Sequence, residues 1–212
     1  SGFADGNTAT DSQFNLPAGV ALDPAGQFLF VADTANGAVR KLDLAGNLTA
    51  SPITGLSSPV DVAVDAATNL YVLTQGDGLV RKYDSFGNFL GILNATALVA
   101  SPPTALALNA STNLLVTLTD GSVVRINHPT NTTTTALVAI GTFSSPRGIE
   151  VMDNGTIVVS DTGNNAIRSI NPTTLAVSLL APTAVALPAP AGTNSGPSAL
   201  ARFRSPHQIT KA

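Results

Sequence analysis

Hydrophobic residues recur along this chain in short alternating runs separated by glycine, asparagine and proline, a pattern typical of β-strands joined by tight turns. The clearest example, 28–43, reads FLFVADTANGAVRKLD. A β-prone run leads into the acidic turn Asp33-Thr34, and Asn36-Gly37 follows with two residues that tolerate a left-handed backbone. A second apolar run leads out. The pattern predicts a β-hairpin.

The hairpin occurs four times, and each copy is closed by an arginine. The later copies lie at 70–84, 114–127 and 157–171, and the arginines are Arg40, Arg81, Arg125 and Arg168. A proline opens a short strand before each hairpin, and the proline-to-proline spacing is 42, 44 and 43 residues, then 60 across an Ala/Pro-rich insertion. These prolines are Pro17, Pro59, Pro103, Pro146 and Pro206. A period of roughly 40–50 residues with four short strands per unit predicts the blades of a β-propeller.

The predicted fold is therefore all-β, with four complete four-stranded blades and the first strand of a fifth. The blades are predicted at 14–55, 56–98, 99–141 and 142–181, and 182–212 holds the Pro-rich loop and the start of the next blade. Because each sheet is apolar on both faces, it must stack against neighbours. We expect residues 1–212 to form a single propeller domain.

The composition limits the partners of the protein. Charged residues make up 11% of the 212 residues, and the net charge is −3 without any basic run, so a nucleic-acid partner is not expected. No apolar run approaches the roughly 18 residues needed for membrane insertion. Cysteine is absent, which excludes disulfides and thiolate chemistry. A neutral polar surface fits an extracellular or cell-surface location better than a cytosolic one, where about 25% charge is usual.

Two segments resemble a known repeat. PAGVALD followed by FLFVADTANGAVRK, and PRGIEVMD followed by IVVSDTGNNAIRSI, are similar to the NHL repeat, and the resemblance extends over about 12–180. It implies a propeller, typically of six blades, so we expect this chain to be part of a larger ring. NHL-type amidating lyases bind zinc through several histidines. This chain has only His128 and His207, so the resemblance does not extend to that zinc set.

The recurring Asp and Arg residues are predicted to be structural. A ring of guanidinium groups could bind an anionic ligand, but recurrence in every blade favours a bracing role. We expect the arginines to pair with Asp33 or Asp161, whereas Thr74 and Leu118 replace the aspartate in the second and third copies. The predicted structural set is Asp33, Arg40, Arg81, Arg125, Asp161 and Arg168.

One carboxylate departs from the repeat pattern. Glu150 is the single glutamate and occupies an inner-strand position held by Ala21, Ala63 and Ala107 elsewhere. It could bind a divalent cation, act as a base, or pair with Arg147. Weak metal-ligand candidates are Glu150, Asp61 and His207. No catalytic set is apparent, and no cofactor is predicted.

Five N-x-[ST] sequences fall in predicted loops or strand ends, where a glycan could be attached. These glycosylation candidates are Asn47, Asn94, Asn109, Asn131 and Asn154. The alternative at each is an unmodified polar turn.

Two functions are compatible with these observations. The first is a non-enzymatic interaction or structural module in an extracellular or cell-surface glycoprotein assembly. Its partner would be a protein or glycan, a second copy, or the rest of a longer chain. The alternative is a propeller hydrolase or lyase with a metal in the central channel. Of the two, we expect the non-enzymatic module rather than the enzyme.

Overall fold

A computed structural model describes residues 13–47, 49, 53–94, 98–128, 134–181 and 206. Within these residues the chain forms fifteen β-strands and two short 3-10 turns, Thr34–Asn36 and Thr162–Asn164. None of the described helical segments is long and apolar enough to cross a membrane. The chain divides into two compact units, 1–103 and 104–212, with the boundary at the start of the eighth strand.

The first unit contains two sheets with the strand orders β1-β2-β3 and β4-β5-β6-β7. Its strands are β1 Pro17–Leu22, β2 Phe28–Asp33, β3 Ala38–Asp43, β4 Pro59–Val64, β5 Leu70–Thr74, β6 Leu79–Tyr83 and β7 Phe89–Ile92. The second unit contains the sheets β8-β9-β10-β11 and β12-β13-β14-β15. Its strands are β8 Pro103–Leu108, β9 Leu114–Leu118, β10 Val123–Ile126, β11 Thr134–Val138, β12 Gly148–Val151, β13 Ile157–Asp161, β14 Ala166–Ile170 and β15 Val177–Ala181.

The all-β propeller fold is confirmed. Each sheet is an antiparallel blade whose strands follow one another in sequence, and the predicted hairpins are β2-β3, β5-β6, β9-β10 and β13-β14. The fourth strand predicted at 48–53 is described only as an isolated bridge between Val39 and Ile53, because Leu48 and 50–52 lie outside the described residues. Most of the predicted fifth blade also lies outside them.

Each unit buries an apolar core between its two sheets. In the first unit, Phe30, Ala32 and Val39 of the first blade pack against Val62, Leu70 and Val72 of the second. In the second unit, Ala105, Ala107 and Leu115 pack against Ile149, Val151, Ile157 and Val159. The small alanines of one inner strand leave room for the branched residues of the next. Stacking therefore covers faces that a lone sheet would expose.

A side chain after the second strand of a blade contacts the proline that opens the next blade. Thr34 Oγ1 donates to Pro59 O at 2.7 Å, and Gln75 Nε2 donates to Pro103 O at 3.0 Å. Thr162 Oγ1 donates to Pro206 O at 2.5 Å. The carbonyl of Pro206 thus receives the same kind of bond as those of the other two prolines. Within residues 1–103, the carbonyls of Pro59 and Pro103 thus each accept a bond from the residue that follows the preceding second strand.

Candidate functional site

Asp33 and Arg40 form a fully buried ion pair in the first blade. Both side chains have 0% exposure, and Nε of Arg40 lies 2.9 Å from Oδ2 of Asp33. The carboxylate also accepts the backbone N–H of Asn15 at 2.7 Å and the side-chain amide of Asn36 at 2.8 Å. Arg40 Nη2 donates to Gln13 O at 3.0 Å. The pair ties the lead-in loop to the hairpin, as a bracing role requires.

The fourth blade repeats this ion pair, although Nε of Arg168 makes no hydrogen bond among the described residues. Arg168 Nε lies 2.8 Å from Oδ2 of Asp161, which is fully buried. Oδ1 of Asp161 accepts the backbone N–H of Ser144, and Asn164 donates to both carboxylate oxygens. Since Arg168 is 30% exposed, its pairing contributes less than that of the fully buried Arg40.

The second blade contains a carboxylate that the sequence comparison missed. Arg81 pairs with Asp77, four residues before it, with 2.5 Å between Nη2 and Oδ2. Thr74, which occupies the aspartate position of the first blade, accepts from Arg81 and donates to Asp77. Burial raises the pKa of Asp77, but the bonds from Arg81 and Thr74 outweigh it and leave this pKa below its usual value. In the sequence, this pair could have been predicted from the acidic residue four positions before the arginine.

The third blade differs: Arg125 stays a predicted structural residue, but no ion pair between it and a carboxylate occurs among the described contacts. Asp33, Thr74 and Asp161 are each paired with a residue five further along the chain. In the third blade, Leu118 N–H instead donates to Ser122 O, four further along. The turn is therefore one residue shorter. A one-residue change of register moves the following side chains to the opposite face of the sheet.

The register shows where Arg125 lies. It is opposite Leu115, which packs against the following blade, whereas Arg81 is opposite Val72, which packs against the preceding blade. Opposed residues share a face, so Arg125 lies on the other face from Arg81. Within the described residues, Nε of Arg125 is buried without a hydrogen-bond partner. The position corresponding to Arg81 is occupied by Val124, opposite Val116.

The innermost strands hold the carboxylates that the sequence singled out. Asp61 on β4 is 9% exposed, and its Oδ1 accepts the backbone N–H of Val62 at 2.9 Å. Its carboxylate lies against Gly19 of the neighbouring strand β1. A Cβ at Gly19 would come within 2.2 Å of Oδ1, so only glycine leaves this space. This close contact holds the Asp61 carboxylate in place between β4 and β1.

Glu150 is half-buried on β12, opposite Val158, and its Oε1 accepts the backbone N–H of Val151 at 3.2 Å. Arg147, one of the alternatives considered as its partner, is exposed. His207 lies outside the described residues. In the described part of the chain, no three His, Asp or Glu side chains come close enough to hold a metal ion.

The residue before the inner-strand proline has a left-handed backbone in three blades. The φ angles are 51° at Leu16, 52° at Ser58 and 45° at Ser145. This conformation is unfavourable for a side chain other than glycine and unusual before proline. Such strained positions cluster at functional sites. These three residues lie at the proline end of the inner strands. Asp61 lies near the same end of β4.

The glycosylation candidates differ in their surroundings. Asn154 is exposed, and Asn47 and Asn109 are half-buried in turns. Asn94 is 2% exposed, and its amide accepts from Val80 N at 2.8 Å and donates to Gly78 O at 2.7 Å. A glycan on Asn94 would have no room unless the buried side chain left both bonds, so this side chain serves the fold. Asn131 lies outside the described residues.

A family model for the NHL repeat matches residues 143–168, which hold β12, β13 and most of β14. The chain contains an NHL repeat. This repeat is the one that pairs Asp161 with Arg168, and the resemblance drawn from the sequence is confirmed there. The other blades depart from it through the shifted carboxylate at Asp77 and the shorter turn at Leu118.

Solved structures with the same fold are distant in sequence. Virginiamycin B lyase from Staphylococcus aureus is 15% identical, with a TM-score of 0.63, and the match covers 78% of this chain and 55% of the lyase. A propeller solved in a nidogen/laminin complex is 18% identical, with a TM-score of 0.65 and coverage of 78% and 63%. A candidate gluconolactonase is 16% identical, with a TM-score of 0.63 and coverage of 83% and 64%.

The NHL-containing chain spans little more than half the length of the streptogramin-type lyases it matches. By sequence, no curated protein matches it. The structural neighbours are mostly enzymes, lyases and lactonase candidates among them, and this contradicts the expectation of a non-enzymatic module. The nidogen/laminin structure shows that a propeller of this fold also occurs in a protein complex.

Proposed function

We propose that this chain belongs to a propeller enzyme of the lyase or hydrolase type. The observation that carries the proposal is the carboxylate of Asp61, held on an inner strand against Gly19. The support from similar structures is that they include virginiamycin B lyase and a candidate gluconolactonase. Both reactions need a general base, which removes a proton in an elimination and activates water in the opening of a lactone.

Asp61 is the residue we assign to the role of base. It is nearly buried, and the N–H of Val62 fixes one oxygen while Gly19 keeps a neighbouring side chain away. A general base must lie within hydrogen-bond distance of the proton that it removes, so a carboxylate held in a fixed position suits this role. Glu150 is the second candidate, since it also lies on an inner strand. No step is assigned to a metal.

The test is an assay of the purified protein with virginiamycin B and with gluconolactone. Product would be followed by mass spectrometry and by acid release, with and without added divalent cations. We expect turnover of one substrate and a loss of about 100-fold or more in kcat for Asp61→Asn. Gly19→Ala should lower activity by displacing the same carboxylate, whereas Asp84→Asn, in a turn, should not. Equal rates for wild type and Asp61→Asn would refute the assignment to Asp61.

We also propose that the protein acts outside the cell or at its surface. The support is the low charge and the accessible N-x-[ST] sequence at Asn154. A secreted protein would acquire such a glycan during its passage through the secretory pathway. The comparison of Asn154 with Asn94 given below tests this location.

A further inference from the structure

The first three blades each carry a cation at the same place on the third strand. Each cation is opposite the residue that lies three positions before the end of the second strand. The cation and its opposed residue are Lys41 and Phe30 in the first blade, Lys82 and Tyr71 in the second, and Arg125 and Leu115 in the third. The shorter turn of the third blade brings an arginine to this place. The three cations can therefore be compared directly.

The two lysines have partners for their charge. Nζ of Lys41 lies 4.3 Å from the ring centroid of Phe28 and donates to Ser85 O at 3.3 Å. Nζ of Lys82 lies 5.3 Å from the ring centroid of Tyr71. A cation over an aromatic face is attracted by the negative face of the ring. Both lysines are therefore satisfied within their blades and their neighbours.

Arg125 lacks such contacts among the described residues. Leu115 is aliphatic and offers a cation no ring face. Nε of Arg125 is buried without a hydrogen-bond partner, and no ion pair of this arginine is described. A buried donor left unsatisfied is costly, and in a native protein it indicates a bound ion or water. An anion satisfies this donor better than water, because arginine cannot lose its charge.

A second arginine with incomplete bonding borders the same core. Arg168 is opposite Val159, which packs in one core with Leu115. Nε of Arg168 makes no hydrogen bond among the described residues, although Oδ2 of Asp161 lies 2.8 Å away. The charges of Arg168 and Asp161 balance each other. Arg125 therefore adds one positive charge that no described carboxylate compensates.

Solvent reaches the rim where the third and fourth blades meet. Thr135 is opposite Arg125 on β11 and is exposed. Leu179 is opposite Arg168 on β15 and is 53% exposed. Arg125 itself is half-buried. A solute can therefore approach the two guanidinium groups from this rim.

We propose that Arg125 and Arg168 form a binding site for a carboxylate group at the rim between the third and fourth blades. A carboxylate carries the single negative charge that the site lacks, and its two oxygens match the Nε and Nη donors of one guanidinium group. Sulfate would bring a second negative charge without a counterpart. The carboxylate belongs to a small acid or to an acidic side chain of a peptide. The site lies on third strands and goes beyond the proposed catalytic role of Asp61.

Titration of the ¹⁵N-labelled full chain with sodium acetate tests the site through the NMR signals of the arginine Nε–H groups. Sodium chloride keeps the ionic strength constant, and the signal missing from Arg125→Met identifies Arg125. We expect this signal to shift and saturate, with half-saturation on the order of 10 mM, as for a single charge-assisted contact. The Arg168 signal should shift with it in wild type and stay in place in Arg125→Met. The exposed Arg147 should show no saturable shift.

Lys41→Met is the matched control, because it removes the corresponding cation of the first blade. It should leave the Arg125 titration unchanged. A blocked peptide with one glutamate distinguishes the two sources: tighter binding than acetate assigns the site to an acidic side chain, and equal or weaker binding assigns it to a small acid.

Two results would overturn the proposal. The first is a parallel shift of the Arg125 and Arg147 signals without saturation. The second is sulfate that saturates the Arg125 signal at a lower concentration than acetate does. Asp61→Asn should not change the titration, so this site and the enzymatic proposal can fail independently.

Discussion

Removing Arg40 tests whether the Asp–Arg pairs hold the blades together. Arg40→Met leaves the Asp33 carboxylate buried, with only Asn15 N–H and the amide of Asn36 as the remaining donors in the structure's described contacts. Breaking a buried pair by removing one partner costs about 3–5 kcal/mol. The two remaining donors offset part of this cost. We therefore expect a loss near the lower end, about 3 kcal/mol.

The matched control is Arg125→Met in the third blade. Arg125 has no described ion pair, so its loss leaves no buried charge behind, and we expect a change below about 1 kcal/mol. The double variant Asp33→Leu with Arg40→Met replaces the pair by apolar side chains. It should be more stable than Arg40→Met alone, although Asn15 N–H then loses its acceptor at a cost of about 1–3 kcal/mol.

Denaturant unfolding followed by circular dichroism measures wild type, Arg40→Met, Arg125→Met, the single variant Asp33→Leu and the double variant, with m values checked for constancy. The double-mutant cycle isolates the coupling between the two side chains. Equal losses of unfolding free energy for Arg40→Met and Arg125→Met would refute the reasoning. They would show that pairing with a buried carboxylate does not affect the cost of removing the arginine. A double variant less stable than Arg40→Met would refute the claim that the uncompensated charge causes the loss.

Three further outcomes are expected. Gly121→Ala should cost more than about 2 kcal/mol in unfolding free energy, because φ is +83° and the new Cβ would lie 2.0 Å from Phe143 O; an unchanged thermal midpoint would contradict this. Burial raises the pKa of Asp65, but bonds from its neighbours outweigh it and leave this pKa below its usual value of 3.8. The ionised form therefore stabilises the fold above that pH, and the stability advantage of wild type over Asp65→Asn should disappear as pH falls through the lowered pKa in a denaturant titration. In the secreted protein, peptide mass mapping should find a glycan at Asn154 and none at Asn94; a glycan at Asn94 would contradict the buried placement.

The hydrogen bonds around Asp65 could not be predicted, because they depend on local geometry. Tyr71 donates to Oδ2 of Asp65 at 2.9 Å, and Asn69 donates to the same oxygen at 2.8 Å. Burial and the Asp65 carboxylate raise the pKa of Tyr71. The sequence shows only a turn at these positions, since strand alternation does not indicate which polar groups meet across it.

The sequence by itself determined the repeat, the order of the strands and the pairing of Asp33 with Arg40 and of Asp161 with Arg168. Turn residues and period-two alternation act over a few neighbouring positions, so they can be read along the chain. The tertiary structure decided the rest. Arg125 has the same sequence spacing as Arg81, yet one residue fewer in the turn places it on the opposite face. The buried amide of Asn94 and the contact of Asp61 with Gly19 likewise depend on which segments lie next to each other in the fold. The spacing of residues along the sequence does not show this.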